Sequence, residues 1–127
     1  MCMMKMEKAG EKMNVINVTP EMRTLPLGRR YENNRTQFVF DVSEWLEEFP
    51  EGTIALLNML PWAAETYEPT IEGPDEEGKI TWTITSTETA TEGRGCCQLM
   101  LTENTAIARS MAWDTKIEKG LPVPPSQ

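Results

Sequence analysis

The stretch Gly95-Cys96-Cys97-Gln98-Leu99-Met100-Leu101 sets two thiols side by side. Neighbouring thiols serve redox exchange, metal binding or nucleophilic attack, and each use needs partners elsewhere in the chain. The third cysteine is Cys2, no C-x-x-C pair exists, and the 127 residues contain no histidine. Cys-His and Ser-His-Asp machinery therefore cannot be built, and a four-ligand zinc site lacks its set. Neither a G-x-x-x-x-G-K-[ST] loop nor a G-x-G-x-x-G turn occurs; Gly93-Arg94-Gly95 has no second half and leads into a strand pattern. The acids form two clusters. Asp75, Glu76 and Glu77 lack the alternating ligand spacing of an EF-hand loop and read as a solvated hairpin tip. Glu47, Glu48 and Glu51 would make a glycoside-hydrolysing pair only if an apolar pocket raised one carboxyl. The expectation is a non-enzymatic protein without catalytic residues, metal ligands or a cofactor.

Binding chemistry has better candidates. The net charge of -8 disfavours nucleic acid, which is held by clustered cations. Arg29, Arg30 and Arg35 form a local basic group suited to bidentate pairing with carboxylates of an acidic neighbour. Trp62 in Leu60-Pro61-Trp62 is either a core plug or an interface anchor, and the sequence leaves the two equally open. No apolar run approaches the roughly 18 residues that cross a bilayer, and the N-terminus lacks the apolar segment of a signal peptide, so the expectation is cytoplasmic synthesis with no membrane insertion.

Around the thiols the period of the chain is two. Cys97, Leu99 and Leu101 fall on one face of an extended strand, with Cys96, Gln98 and Met100 on the other, so the thiols point apart and Cys97 reads as a small core residue. Thr36–Val42 and Lys79–Thr85 alternate in the same way, with Phe38, Phe40, Ile80, Trp82 and Ile84 on the apolar faces. Thr53–Leu60 is almost continuously apolar and reads as a central strand covered on both faces. Segments 14–18, 65–71 and 105–113 are weaker candidates, and Pro69 marks its segment as an edge or a bulge. Segments 72–79 and 102–105 have hairpin composition. Ser43 could cap a short helix at Ser43–Phe49, and Thr87–Gly93 could form one helical turn ended by Gly93.

This pattern predicts an all-β antiparallel β-sandwich of about seven strands with one or two short helical turns. Trp45, Trp82 and Trp113 are its expected core anchors, Trp82 first. Residues 14–118 make the domain. Residues 1–13 read as a flexible extension in which Met13 is a second possible start, and residues 119–127 as a proline-rich arm or linker.

Certain marks, in order, resemble a known family. They are the Leu25–Arg30 loop, Phe40-Asp41-Val42-Ser43 before a Trp-containing turn, the strand Ile80–Thr85, the turn Thr89-Ala90-x-x-Gly93-x-Gly95, and Ser110-x-x-Trp113. Over residues 14–117 the chain is similar to the immunoglobulin-like N-terminal module of phage and prophage tail proteins of Gram-positive bacteria, including that of the baseplate upper protein. The resemblance implies an immunoglobulin-like sandwich acting as a structural adaptor in a tail tip or baseplate. Its partners would be other tail proteins and further copies of itself, and its place the virion tail. The sequence departs from antibody domains in having no tyrosine corner and no inter-sheet cysteine pair. A stand-alone bacterial binding module, with aromatic loops stacking on carbohydrate, is the alternative from another class.

Overall fold

The structure is a computed structural model and describes residues 13–124. The expected extension over residues 1–13 lies, but for Met13, outside the described residues, as do the last three residues of the expected arm. Seven strands occur among the described residues: β1 (Asn14–Asn17), β2 (Thr24–Arg29), β3 (Thr36–Asp41), β4 (Thr53–Met59), β5 (Lys79–Thr83), β6 (Gly93–Glu103) and β7 (Ala106–Glu118), with a short helix α1 (Ser43–Glu48) between β3 and β4. They make two sheets, ordered β1-β3-β5 and β2-β7-β6-β4.

The period of two becomes the core. Phe38, Phe40, Ile80 and Trp82 from the first sheet meet Leu25, Leu27, Leu56, Cys97, Leu99, Trp113 and Ile117 from the second. The Phe40 and Trp113 rings join the layers at 5.3 Å, and Phe38 lies 6.0 Å from Trp82. Trp82 is wholly buried, Trp113 nearly so, and Trp45 packs half-buried against the cluster. Each such side chain contributes about 1.5–3 kcal/mol by leaving water, so the fold needs no inter-sheet disulfide. The all-β sandwich is therefore present with its expected core residues buried, except Trp45, which only packs against the core from α1.

The connections differ from expectation. Of the two segments with hairpin composition, 102–105 joins neighbours β6 and β7, whereas 72–79 turns the chain back onto β5 through the single antiparallel bridge Glu72–Thr81; among the described residues no other short turn joins neighbouring strands of a sheet. The other connections cross between sheets or wrap an edge, so β1 pairs parallel with β3 and β2 parallel with β7. Each sheet is thus mixed, antiparallel elsewhere with one parallel pair. Strand β4 is at an edge, not central: its apolar run arises because Ala55, Leu57 and Met59 are half-buried on the outer face, opposite Leu56 and Asn58 on the core face. Leu25–Arg29, expected in a loop, belongs to β2.

Segment 65–71 is not a strand. It forms a strap, bridged once to β4 at Asn58–Tyr67 and, just beyond, to β5 at Glu72–Thr81. Pro69 has no N–H to give and holds the residue before it extended, which keeps a ladder from forming between the bridges. The strap spans from an edge of one sheet to an edge of the other. Helix α1 is capped differently from the sequence reading, since Val42 stands at the N-cap without a side-chain bond. Ser43 instead donates from N and Oγ to Asp41 Oδ1 at 3.0 and 2.7 Å, and those two bonds hold the Asp41 carboxyl below its ordinary pKa. Gly93 opens β6 rather than ending a helical turn; its φ of 132° suits glycine, and a Cβ there would meet Pro61.

Candidate functional site

The polar residues with the best partners lie beneath the strap. Tyr67 donates its hydroxyl to Glu88 Oε2 at 2.6 Å and accepts from Asn58 Nδ2 at 3.1 Å. Glu88 Oε1 accepts from Thr85 N at 2.7 Å and Thr85 Oγ1 at 2.8 Å. Glu88 is only 3% exposed, and a buried carboxylate without partners would be strongly unfavourable. Both of its oxygens are engaged, so it holds the Thr85–Thr89 turn to the strap. Burial, together with the bond to Glu88, pushes the Tyr67 hydroxyl well above its ordinary pKa. A pinned phenol of this kind is a fastener rather than an acid or base.

Trp62 rides on that fastening. It follows β4 in a turn closed by Ala63 N–H donating to Leu60 O at 3.0 Å, is 66% exposed, and has φ of 51°. The left-handed region costs a bulky L-residue about 1–2 kcal/mol. The structure therefore excludes the core-plug alternative and leaves an aromatic ring raised into solvent on a strained backbone. Beside it a hollow of about 250 Å³ is lined by Pro61, Thr87, Glu88, Ala90 and Thr91.

Arg30 reaches the same turn from the other side. Its Nε donates to Ala90 O at 2.9 Å, its NH1 lies 4.0 Å from Glu92 Oε1, and its guanidinium sits 4.9 Å from the centre of the Tyr31 ring. Tyr31, half exposed with φ of 82°, donates its N–H to Thr89 O at 3.3 Å. Two exposed aromatic residues in the left-handed region thus flank Thr85–Glu92. Sequence reasoning named Trp62 and Arg30 but missed Tyr31; its place directly after two arginines and before Asn33-Asn34 was the available signal.

Arg29 and Arg35 lie apart from Arg30. They line a hollow of about 230 Å³ together with Asn14, Glu32 and Glu118. Arg29 gives its N–H to Glu32 Oε1 at 2.9 Å and its NH1 to Lys119 O at 3.3 Å. The three arginines are therefore not one basic patch, and Arg30 already pairs with an acid of its own chain.

At the opposite end a larger groove of about 610 Å³ opens beside α1. Val18, Pro20, Val42, Trp45, Met111 and Trp113 give it apolar walls, with Asp41, Glu44 and Arg109 at its polar margin. It borders a bulge in β7, where Ser110 Oγ accepts the Leu99 N–H at 3.0 Å. The thiols sort as their period requires: Cys97 is buried on the core face, Cys96 half-buried on the outer face, and both are free. Burial pushes the Cys97 thiol up to about 12, which makes it inert at neutral pH. Asp75 spends one oxygen, Oδ1, on the N–H groups of Glu77 and Lys79, both at 2.9 Å, and so shapes its own turn.

No family model and no curated protein matches the chain. Among solved structures it is similar to the N-terminal domain of phage TP901-1 ORF48, at 12% identity and a TM-score of 0.48, with 85% of this chain and 98% of that one covered.

Proposed function

We propose that this chain is a non-enzymatic structural adaptor of a phage or prophage tail tip or baseplate, joining other tail proteins through the end that carries Trp62, Tyr31 and Arg30. The observation that carries the reading is Trp62, largely exposed and held in a left-handed turn by fastened neighbours. Strain of this kind persists where surrounding structure enforces it, and an exposed aromatic gains energy once a partner desolvates it. The sequence marks that resemble tail modules support the same reading, since they occupy structural posts: Phe40 and Trp113 join the sheets, and Thr89–Glu92 lies in the turn between Trp62 and Arg30 that leads into β6. On this reading the chain is made in the bacterial cytoplasm and works in the virion tail, several copies around a three-fold or six-fold axis.

The test is to mix the chain with the proteins encoded beside it and measure mass by light scattering. The wild type should join a neighbour, and Trp62→Ala and Arg30→Glu should abolish that complex. Failure to join any neighbour, combined with Trp62-dependent binding of a soluble glycan, would replace the adaptor with a carbohydrate-binding module.

A further inference from the structure

We infer that the groove beside α1 receives the C-terminal arm of a second copy of this chain, with Leu121 and Val123 of one molecule seated against Trp45 and Met111 of the next. The inference is independent of the tail-module reading. Leu121 and Val123 are 79% and 86% exposed, the most exposed large apolar residues among those described. They alternate with Pro122 and Pro124, a composition that favours the extended polyproline conformation and lowers the entropy lost on docking.

A molecule's own arm cannot fill its groove. Lys119 is tied by its carbonyl to Arg29 NH1, and Gly120 is packed against the Arg30 carbonyl so closely that a Cβ would collide with it. Both contacts start the arm at the far end of β7 from Met111. Met111 is seven residues back from Glu118, about 23 Å along a strand. Leu121 and Val123 are three and five residues beyond Glu118, so they reach at most about 11 and 18 Å from it.

The groove suits such a guest. Its tryptophan and methionine walls match the aromatic-lined clefts that bind proline-rich segments. Trp113, 6% exposed, gives it an apolar floor. Glu44 at the margin complements the charge of Lys119, which stays anchored on the first molecule just ahead of Leu121. Because arm and groove sit at opposite ends, copies join head-to-tail, the type of contact that closes into a ring or runs on as a filament according to its rotation.

The experiment uses full-length chains, measured by light scattering over a range of concentrations. The wild type should show a multiple of the single-chain mass. Leu121→Asp with Val123→Asp, and separately Met111→Asp, should each weaken association by at least about tenfold, as expected when apolar contacts are lost. Mixing the arm variant with the groove variant should restore a complex, since one supplies an intact groove and the other an intact arm. A blocked Lys119–Pro124 peptide should shift the tryptophan fluorescence of the arm variant but not that of the groove variant. A wild type that stays monomeric together with a peptide that leaves the fluorescence unchanged overturns the proposal. So does association that survives the arm substitutions, because the groove or another surface would then hold a different occupant.

Discussion

Trp82 and Trp62 are the same side chain in opposite surroundings. Trp82 lies between the sheets on a regular strand, fully buried against Phe38. Trp62 stands 66% exposed on a turn that an L-residue adopts at a cost. The sheet interior spends its aromatic area on cohesion, whereas the turn keeps its aromatic area free by fixing the backbone underneath. Residue type alone therefore does not say what a tryptophan is for; backbone conformation and neighbours do.

Substitutions can break or sharpen this contrast. The largest expected effect is Trp82→Ala, which should lower unfolding free energy by about 3–5 kcal/mol in denaturant titration, against less than about 0.5 kcal/mol for Trp62→Ala. Similar losses at the two positions would erase the distinction. Next comes the fastening beneath Trp62. Tyr67→Phe takes the partner from Asn58 Nδ2 and from Glu88 Oε2, and should cost about 1–3 kcal/mol while broadening the environment that Trp62 fluorescence reports.

The core should also answer to alkali. Cys97 and Tyr67 have folded-state pKa values raised above their unfolded values, so the stability they contribute is complete at neutral pH. It should begin to fall above pH 9, the ordinary value for the thiol, by up to about 1.4 kcal/mol per pH unit for each group, with Tyr67 joining above 10. Cys97→Val should remove the first part of that decline at a fixed cost below about 1.5 kcal/mol, and stability curves taken from pH 7 to 11 would show whether it does. The smallest effect is Trp62→Gly: glycine relieves the left-handed strain, so stability should stay level or rise by up to about 1 kcal/mol while any Trp62-dependent complex is lost. A clear fall in melting temperature for this variant would mean that the exposed ring supports the fold after all.

The sandwich was legible because alternation is a local property. Phe38, Phe40, Ile80, Trp82, Cys97 and Leu99 declare their face within a few residues, and the structure buries all six. Pairing is not local. Nothing within Thr53–Met59 states that β4 has a neighbour on one side only, and nothing near Leu25 announces a partner at Thr115. The candidate site was half legible for the same reason. Trp62 and Arg30 are suspicious singly, but their meeting on Thr85–Glu92 depends on how the strap crosses from sheet to sheet. The Asn58–Tyr67–Glu88 fastening had no sequence signal, since its three members lie on separate elements.

The parallel pairing of β2 with β7 sets the order in which the molecule can form. Thr24 lies opposite Asp114 and Arg29 opposite Glu118, so β2 waits for β7, which is made after all the other described strands. Leu25 and Leu27, both buried in the finished protein, sit on a strand that has no neighbour in its sheet until β7 arrives. Closing so long a loop is slow, because its entropy is lost before any contact repays it. The β6–β7 hairpin can fold early around Asn104-Thr105, and β2 then completes the second sheet as a late docking step. Until β7 is made, β2 is thus an apolar strand without a mate, a state that favours aggregation.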